Sequence, residues 1–261
     1  MFLKGWVMSE LRALIFDVDG TLAETERDAH RPAFNQAFLE AGLDWEWSVE
    51  LYGELLEIGG GKERIRHYVQ QYQSDFPIPN QDLDQFVITL HEIKNKYFGQ
   101  LVVDRIPLRP GVMRLIQEAK REGVRLAIAT TSDPHNVEAL LKSAIAPDGP
   151  SWFEVIAAGD MVRVKKPEPD VYQYALQALS LQPEDCLAIE DSHQGLLAAQ
   201  AAGLKTVITV NNYTRNQDFS GAELVLNSLG EPDEPFTVLS GNVGEATYFD
   251  LALARQLHQR G

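Results

Sequence analysis

The chain has 261 residues, 44% hydrophobic and 23% charged, which is the balance of a soluble globular enzyme and not of a disordered tail; the length fits a core domain with a smaller partner. A formal net charge of -15 excludes a general nucleic-acid partner, since a phosphate backbone is gripped by clustered Lys and Arg. The same field repels small anions, so a protein of this charge that handles phosphates needs local cations, a metal among them, at one cleft.

Residues 1–10 contain no signal-peptide pattern, and Met8 offers a second start. No segment is long and apolar enough to span a membrane. The single cysteine, Cys186, lies in the apolar run Cys186-Leu-Ala-Ile189 and reads as a buried strand position. A cytoplasmic monomer is expected.

The apolar run 11–16 predicts a buried strand that delivers Asp17-Val-Asp-Gly-Thr at its carboxyl end. From 24 to 101 the pattern is helical. Ala33, Phe34, Ala37, Phe38 and Ala41 recur at helical spacing before Gly42, and further helices are predicted over 49–57, 62–73 and 82–98. After Pro110-Gly111 helix and strand alternate: helix to 122, strand 124–129, helix to 141, strand 153–157, helix 169–179, strand 186–189, helix 195–202 and strand 206–210. Segment 227–244 reads as a loop and 245–259 as a final helix. The fold class is therefore α/β, a Rossmann-like parallel sheet with helices on both faces and an inserted all-helical cap. The division is core 1–22, cap 23–102 and core 103–261.

In such sheets ligands bind at the carboxyl ends of strands. Asp17 and Asp19 would repel in one low-dielectric place unless a cation or a shared proton joins them; a bare DxD with Gly20 is equally a turn or cap cluster. An EF-hand is excluded because Gly20 falls at the wrong loop position. Thr130, Thr131 and Ser132 follow one strand and can hold a phosphoryl oxygen or simply cap a helix. Lys166 stands before Pro167, and Glu190-Asp191 ends a further strand. Each alone has an ordinary explanation; their order on one sheet edge does not.

This order, Asp17-Val-Asp19-Gly20-Thr21, Thr130, Lys166-Pro167, Glu190-Asp191, resembles the four motifs of the haloacid-dehalogenase-like (HAD) phosphatases, over 11–210. The helical insert resembles the subclass that includes beta-phosphoglucomutases and phosphoglycolate phosphatases. The stretches 17–26, 59–64 and 129–132 are most similar to CbbY-type phosphatases, a group associated with hydrolysis of xylulose 1,5-bisphosphate, an inhibitory by-product of Rubisco.

The resemblance implies Asp17 as nucleophile, forming an aspartyl phosphate, and Asp19 as acid and base, protonated when substrate binds. It implies Mg²⁺ held by Asp17, the carbonyl of Asp19 and Asp191, with Glu190 supporting from behind, and Thr130 and Lys166 on the transferring group. Thr131 and Ser132 complete the phosphate cradle. Glu24 is expected on sugar hydroxyls or as a helix-terminal carboxylate, and His30 on substrate or as a solvated cap. Lys62 and Arg64, after Gly59-Gly60-Gly61, either close over a second phosphate or begin a helix, with Arg66 a weaker candidate. A Walker A loop is excluded by Leu56 and Glu63. The expected activity is a sugar-bisphosphate phosphatase; the alternatives are a beta-phosphoglucomutase, a phosphoglycolate phosphatase and a non-catalytic sugar-phosphate sensor.

Overall fold

The computed structural model describes residues 10–77, 82–103 and 106–260. The reading of Met8 as a start lies outside the described residues. Strand β1 (Ala13–Phe16) is apolar and buried on both faces, as a central parallel strand must be. It is flanked by β2 (Arg125–Ala129) and β4 (Cys186–Glu190). With β3 (Val155–Ala157), β5 (Lys205–Thr209), β6 (Leu224–Leu226) and β7 (Val238–Gly241), the sheet runs β3-β2-β1-β4-β5-β6-β7. All pairs are parallel except β6 with β7. The chain leaves β1 toward β2 on one side and β4 on the other, so the crevice for a ligand opens at the carboxyl end of β1.

Register sets the height of the chemistry. Phe16 lies opposite Ile128 and Ile189. Asp17, Thr130 and Asp191 therefore leave the sheet within a residue or two of the same level.

Between β1 and β2 the chain forms the helical insert. Glu26–His30 wind as one wide π-helical turn that runs straight into α1 (Arg31–Glu40). Then follow α2 (Val49–Leu55), α3 (Gly61–Tyr72) and α4 (Leu83–Val103). Their apolar faces meet in a separate core dense in aromatic rings: Phe34, Phe38, Trp45, Trp47, Tyr52 and Tyr68. Edge-on packing such as Phe38 against Trp47, centroids 5.0 Å apart, adds to area burial worth about 1.5–3 kcal/mol per large side chain. The cap thus carries its own apolar reason to fold.

The core helices are α5 (Val112–Arg121), α6 (Pro134–Ala144), α7 (Asp170–Leu179), α8 (His193–Ala201) and α9 (Leu251–His258). Two apolar clusters cover the two faces of the sheet, with Leu14 and Phe16 on one side and Ala13 and Ile15 on the other. Three expectations need correction. The stretch 227–244 is not all loop: it contains β7, an exposed edge strand, and β6 precedes it. The last helix is shorter than 245–259 because Asp250 caps it, accepting from the Leu253 N–H at 2.8 Å. The helix expected over 82–98 continues to Val103. Among the described residues no helix is long and apolar enough to cross a membrane.

Candidate active site

A cavity of about 400 Å³ lies between sheet edge and insert, lined by Asp17, Asp19, Thr130, Lys166 and Asp191 from below and by Lys62, Arg64, His91 and Lys94 from above. Its floor is built by strand ends and helix starts. Ser192 caps α8, accepting from the Gly195 N–H at 3.1 Å, and Asp133 caps α6, accepting from the His135 N–H at 2.9 Å. These caps turn the chain sharply after β4 and β2, leaving Asp191 and Thr130 at the rim.

Lys166 is the electrostatic centre. Its ammonium donates to Asp17 Oδ1 (2.7 Å), to the Ala129 carbonyl (2.9 Å) and to Glu190 Oε1 (2.5 Å). Glu190 is fully buried and also accepts from the Tyr172 hydroxyl (2.6 Å) and from the Asp191 N–H (3.2 Å). Both its oxygens are thus engaged inside the protein, behind the cavity. Burial works against the Lys166 charge, but Asp17 and Glu190 outweigh it and raise its pKa above the ordinary lysine value.

One ammonium cannot balance three buried carboxylates. Asp17, Glu190 and Asp191 offer oxygens within 4.8 Å of one another. Burial first, then mutual repulsion, pushes Asp17 and Asp191 above the usual carboxylate range, with Lys166 pulling the other way. An all-oxygen donor set with excess negative charge fits a hard divalent cation. The space beside it is kept by Gly20, at φ +88°, where a Cβ would stand 2.3 Å from Asp191 Oδ2. Asn211 fixes that same oxygen, its side-chain N–H donating at 2.6 Å.

Asp19, expected to carry a proton when substrate binds, is met by three polar side chains. Its carboxylate accepts from Thr25 Oγ1 (2.5 Å), from the His30 ring at Nε2 (2.8 Å) and from Ser132 Oγ. Burial alone would raise its pKa; His30, then the two hydroxyls, reverse that and hold it well below the carboxylate range. Ser132 therefore serves Asp19 here, while Thr130, at 2% exposure, and Thr131 remain on the cavity wall.

His30 is neither solvated nor a free cap. On its other side Nδ1 meets the ammonium of Lys94 at 2.6 Å, and the ring lies 4.3 Å from Phe98. An ammonium only donates, so Nδ1 accepts and Nε2 carries the proton toward Asp19. Lys94 is 2% exposed and sits over the rings of Phe34 and Phe98. Sequence reading missed it because a lysine in a helix reads as solvated; its place on the apolar phase of α4, four residues after Leu90 and before Phe98, was the available signal.

The other cap residues divide. Glu24 is not among the cavity-lining residues: it faces a second depression at the hinge, where it pairs with buried Arg109 at 3.1 Å. Arg109 in turn donates to the carbonyls of Gly20, Thr209, Val210 and Asn227, tying the nucleophile loop to β5 and β6. Glu26 lines the cavity instead, accepting from Tyr52. Arg64 borders the cavity, yet its donors are spent on the Leu55 and Ile58 carbonyls and Tyr52 (3.0, 3.2 and 3.0 Å). It holds the turn after α2. Lys62 reaches across to Asp160 of the core at 2.5 Å. Arg66 pairs with Asp84 within the insert. His91, unforeseen, abuts Gly61 at the cavity wall, and burial keeps it neutral, its pKa pushed down to about 3.

The family model described as haloacid dehalogenase-like hydrolase matches residues 11–203. The plasmid-borne CbbY of Cupriavidus necator is 46% identical over 226 residues, covering 86% of this chain and 88% of that one. CbbY of Rhodobacter capsulatus is 50% identical over 215 residues, covering 82% and 92%. A crystal structure of a point variant of CbbY from Rhodobacter sphaeroides, in complex with xylulose 1,5-bisphosphate, superposes with a TM-score of 0.78 at 45% identity, covering 84% and 94%.

Proposed function

The chain belongs to the haloacid dehalogenase-like hydrolases and, within them, to the CbbY family, and on that premise we propose that it hydrolyses xylulose 1,5-bisphosphate to xylulose 5-phosphate and phosphate. The observation that carries the reading is Asp17: one carboxylate oxygen is anchored by Lys166 at 2.7 Å in a cavity large enough for a sugar phosphate.

Asp17 attacks phosphorus, forming an aspartyl phosphate as the bond from phosphorus to the sugar oxygen breaks. The departing oxygen takes a proton from Asp19. For that step Asp19 must carry a proton when substrate is bound, and the Nε2–H of His30, 2.8 Å away and backed by Lys94, fixes the orientation of its carboxyl group. In the second half Asp19 is the base: it draws a proton from water as the water attacks phosphorus, and Asp17 leaves as a carboxylate. General acid–base help of this kind is worth about 10²–10⁴ in rate. Thr130 and Lys166 meet the charge on the transferring group. Mg²⁺ is the ion the buried carboxylates suit; Asp17, the Asp19 carbonyl and Asp191 would hold it with Glu190 behind them, and it would neutralise carboxylate and phosphate charge. The substrate proposed is a small sugar bisphosphate, with His91 and Glu26 on the cap side of the same cavity.

A phosphate-release screen over sugar mono- and bisphosphates with Mg²⁺ tests the reading. Xylulose 1,5-bisphosphate is expected to lead, and Asp17→Asn to abolish turnover while keeping the wild-type circular dichroism. Conversion of β-glucose 1-phosphate to glucose 6-phosphate without net phosphate release, or an active Asp17→Asn, would overturn it.

A further inference from the structure

One carboxylate stands between two lysines at the seam of cap and core. Asp160, on the helical turn after β3, accepts from Lys62 of α3 at 2.5 Å through Oδ2 and from Lys165 of the core at 3.0 Å through Oδ1. All three line the cavity that holds Asp17. The seam is closed here: a Cβ on Gly59 of the cap would stand 3.0 Å from the Lys166 carbonyl and 3.5 Å from Lys165 Cβ.

The arrangement is that of an anion site filled from within. Lys165 is well buried and also donates to the Gly159 carbonyl, so it stays in place whatever Asp160 does. Asp160 itself is 68% exposed and can swing into water at little cost. Its ion pairs are of the exposed kind, each worth up to about fivefold in an equilibrium constant. A terminal phosphate ester carries about 1.5 to 2 negative charges at neutral pH against one on a carboxylate, and three strong acceptor oxygens against two.

We propose that Asp160 is an internal stand-in for the second phosphoryl group of a bisphosphate, which displaces it and is held between Lys62 and Lys165. This rests on the bisphosphate reading above and assigns to it two residues, Asp160 and Lys165. A monophosphate leaves the carboxylate in place and finds the far end of the cavity already neutralised. Asp160 thus competes with the distal phosphate alone: it weakens binding of a bisphosphate and leaves that of a monophosphate untouched.

The selectivity ratio is kcat/KM for xylulose 1,5-bisphosphate over kcat/KM for xylulose 1-phosphate. In Asp160→Asn the competitor is gone and the two ammonium groups need another anion, so the ratio is expected to rise about three- to fivefold, the range of such pairs. Asp160→Ser is expected to move it the same way, and Lys165→Met to lower it. A merely structural ion pair would lower both substrates together and leave the ratio unchanged. An unchanged or falling ratio in both Asp160 variants, with the wild type preferring the bisphosphate, overturns the inference alone. A wild type with no such preference overturns the bisphosphate reading and the inference with it.

Discussion

Replacing Lys94 with Met should make the protein more stable and the enzyme worse. Lys94 is 2% exposed, and burial, against partial help from Glu26 and Asp19, pushes its pKa from the ordinary 10.5 down to about 8. At about 1.4 kcal/mol per tenfold of proton affinity, keeping it charged at pH 7 costs about 3 kcal/mol. Met fills nearly the same volume among Phe34 and Phe98 with no charge. It removes the donor to His30 Nδ1, which takes back about 1 kcal/mol, so Lys94→Met should gain about 2 kcal/mol at pH 7. The pH dependence identifies the cause. Between about pH 8 and 10.5 the unfolded chain binds the lysine proton and the folded one does not, so wild-type stability rises with pH across that window relative to the variant. Urea unfolding of both proteins at pH 7 and near pH 10 measures this, and titrations common to both cancel in the difference. An advantage that is absent at pH 7, or that persists unchanged above pH 10, would refute the reasoning. Turnover should fall about 10²-fold as His30, and with it Asp19, loses its fixed orientation.

Gly20→Ala should reduce kcat by more than about 100-fold, since the left-handed backbone disfavours a Cβ and that atom would displace Asp191, and ångström errors at a reacting centre cost about that much; wild-type kcat would show that Asp191 has no positioning role. Arg64→Ala should destabilise the protein by about 2–4 kcal/mol in denaturant titration, because two buried carbonyls and the Tyr52 hydroxyl lose their donor. Its KM should rise alike for mono- and bisphosphate, and a rise confined to the bisphosphate would mean that Arg64 reaches the distal phosphate after all.

The floor of the site was legible because parallel strands are short apolar runs and the residue after each run is the one presented to the crevice. Asp17, Thr130 and Asp191 needed only that rule. Cap helices were legible from their spacing of Phe, Ala and Leu. What the sequence hid was charge in apolar company: Lys94 and Arg109 read as solvated, yet Lys94 lies between aromatic rings and Arg109 collects backbone carbonyls from separate segments. Glu24 was expected at the sugar and Glu26 was passed over, because which of two nearby carboxylates faces the cleft depends on the path of the hinge. Strand β6 has three residues, too few for a period to show, and β7, exposed along its length and ending in Gly241, passed for loop.

The wide turn at Glu26–His30 gives the cleft a counting rule. An α-helix advances about 100° per residue, and a π-turn takes up one residue more than the helix it joins. Deleting a single residue from this turn would tighten it into an ordinary helical turn with α1 still in phase, yet rotate the hinge residues themselves by that angle, carrying His30 away from Asp19. His30 is fixed by its bond to Asp19, and so is the number of residues in the turn. Length variants in this turn are therefore where the pairing of this cap with this core is most easily broken, and where a chimaeric enzyme with a borrowed cap should be joined with the count preserved.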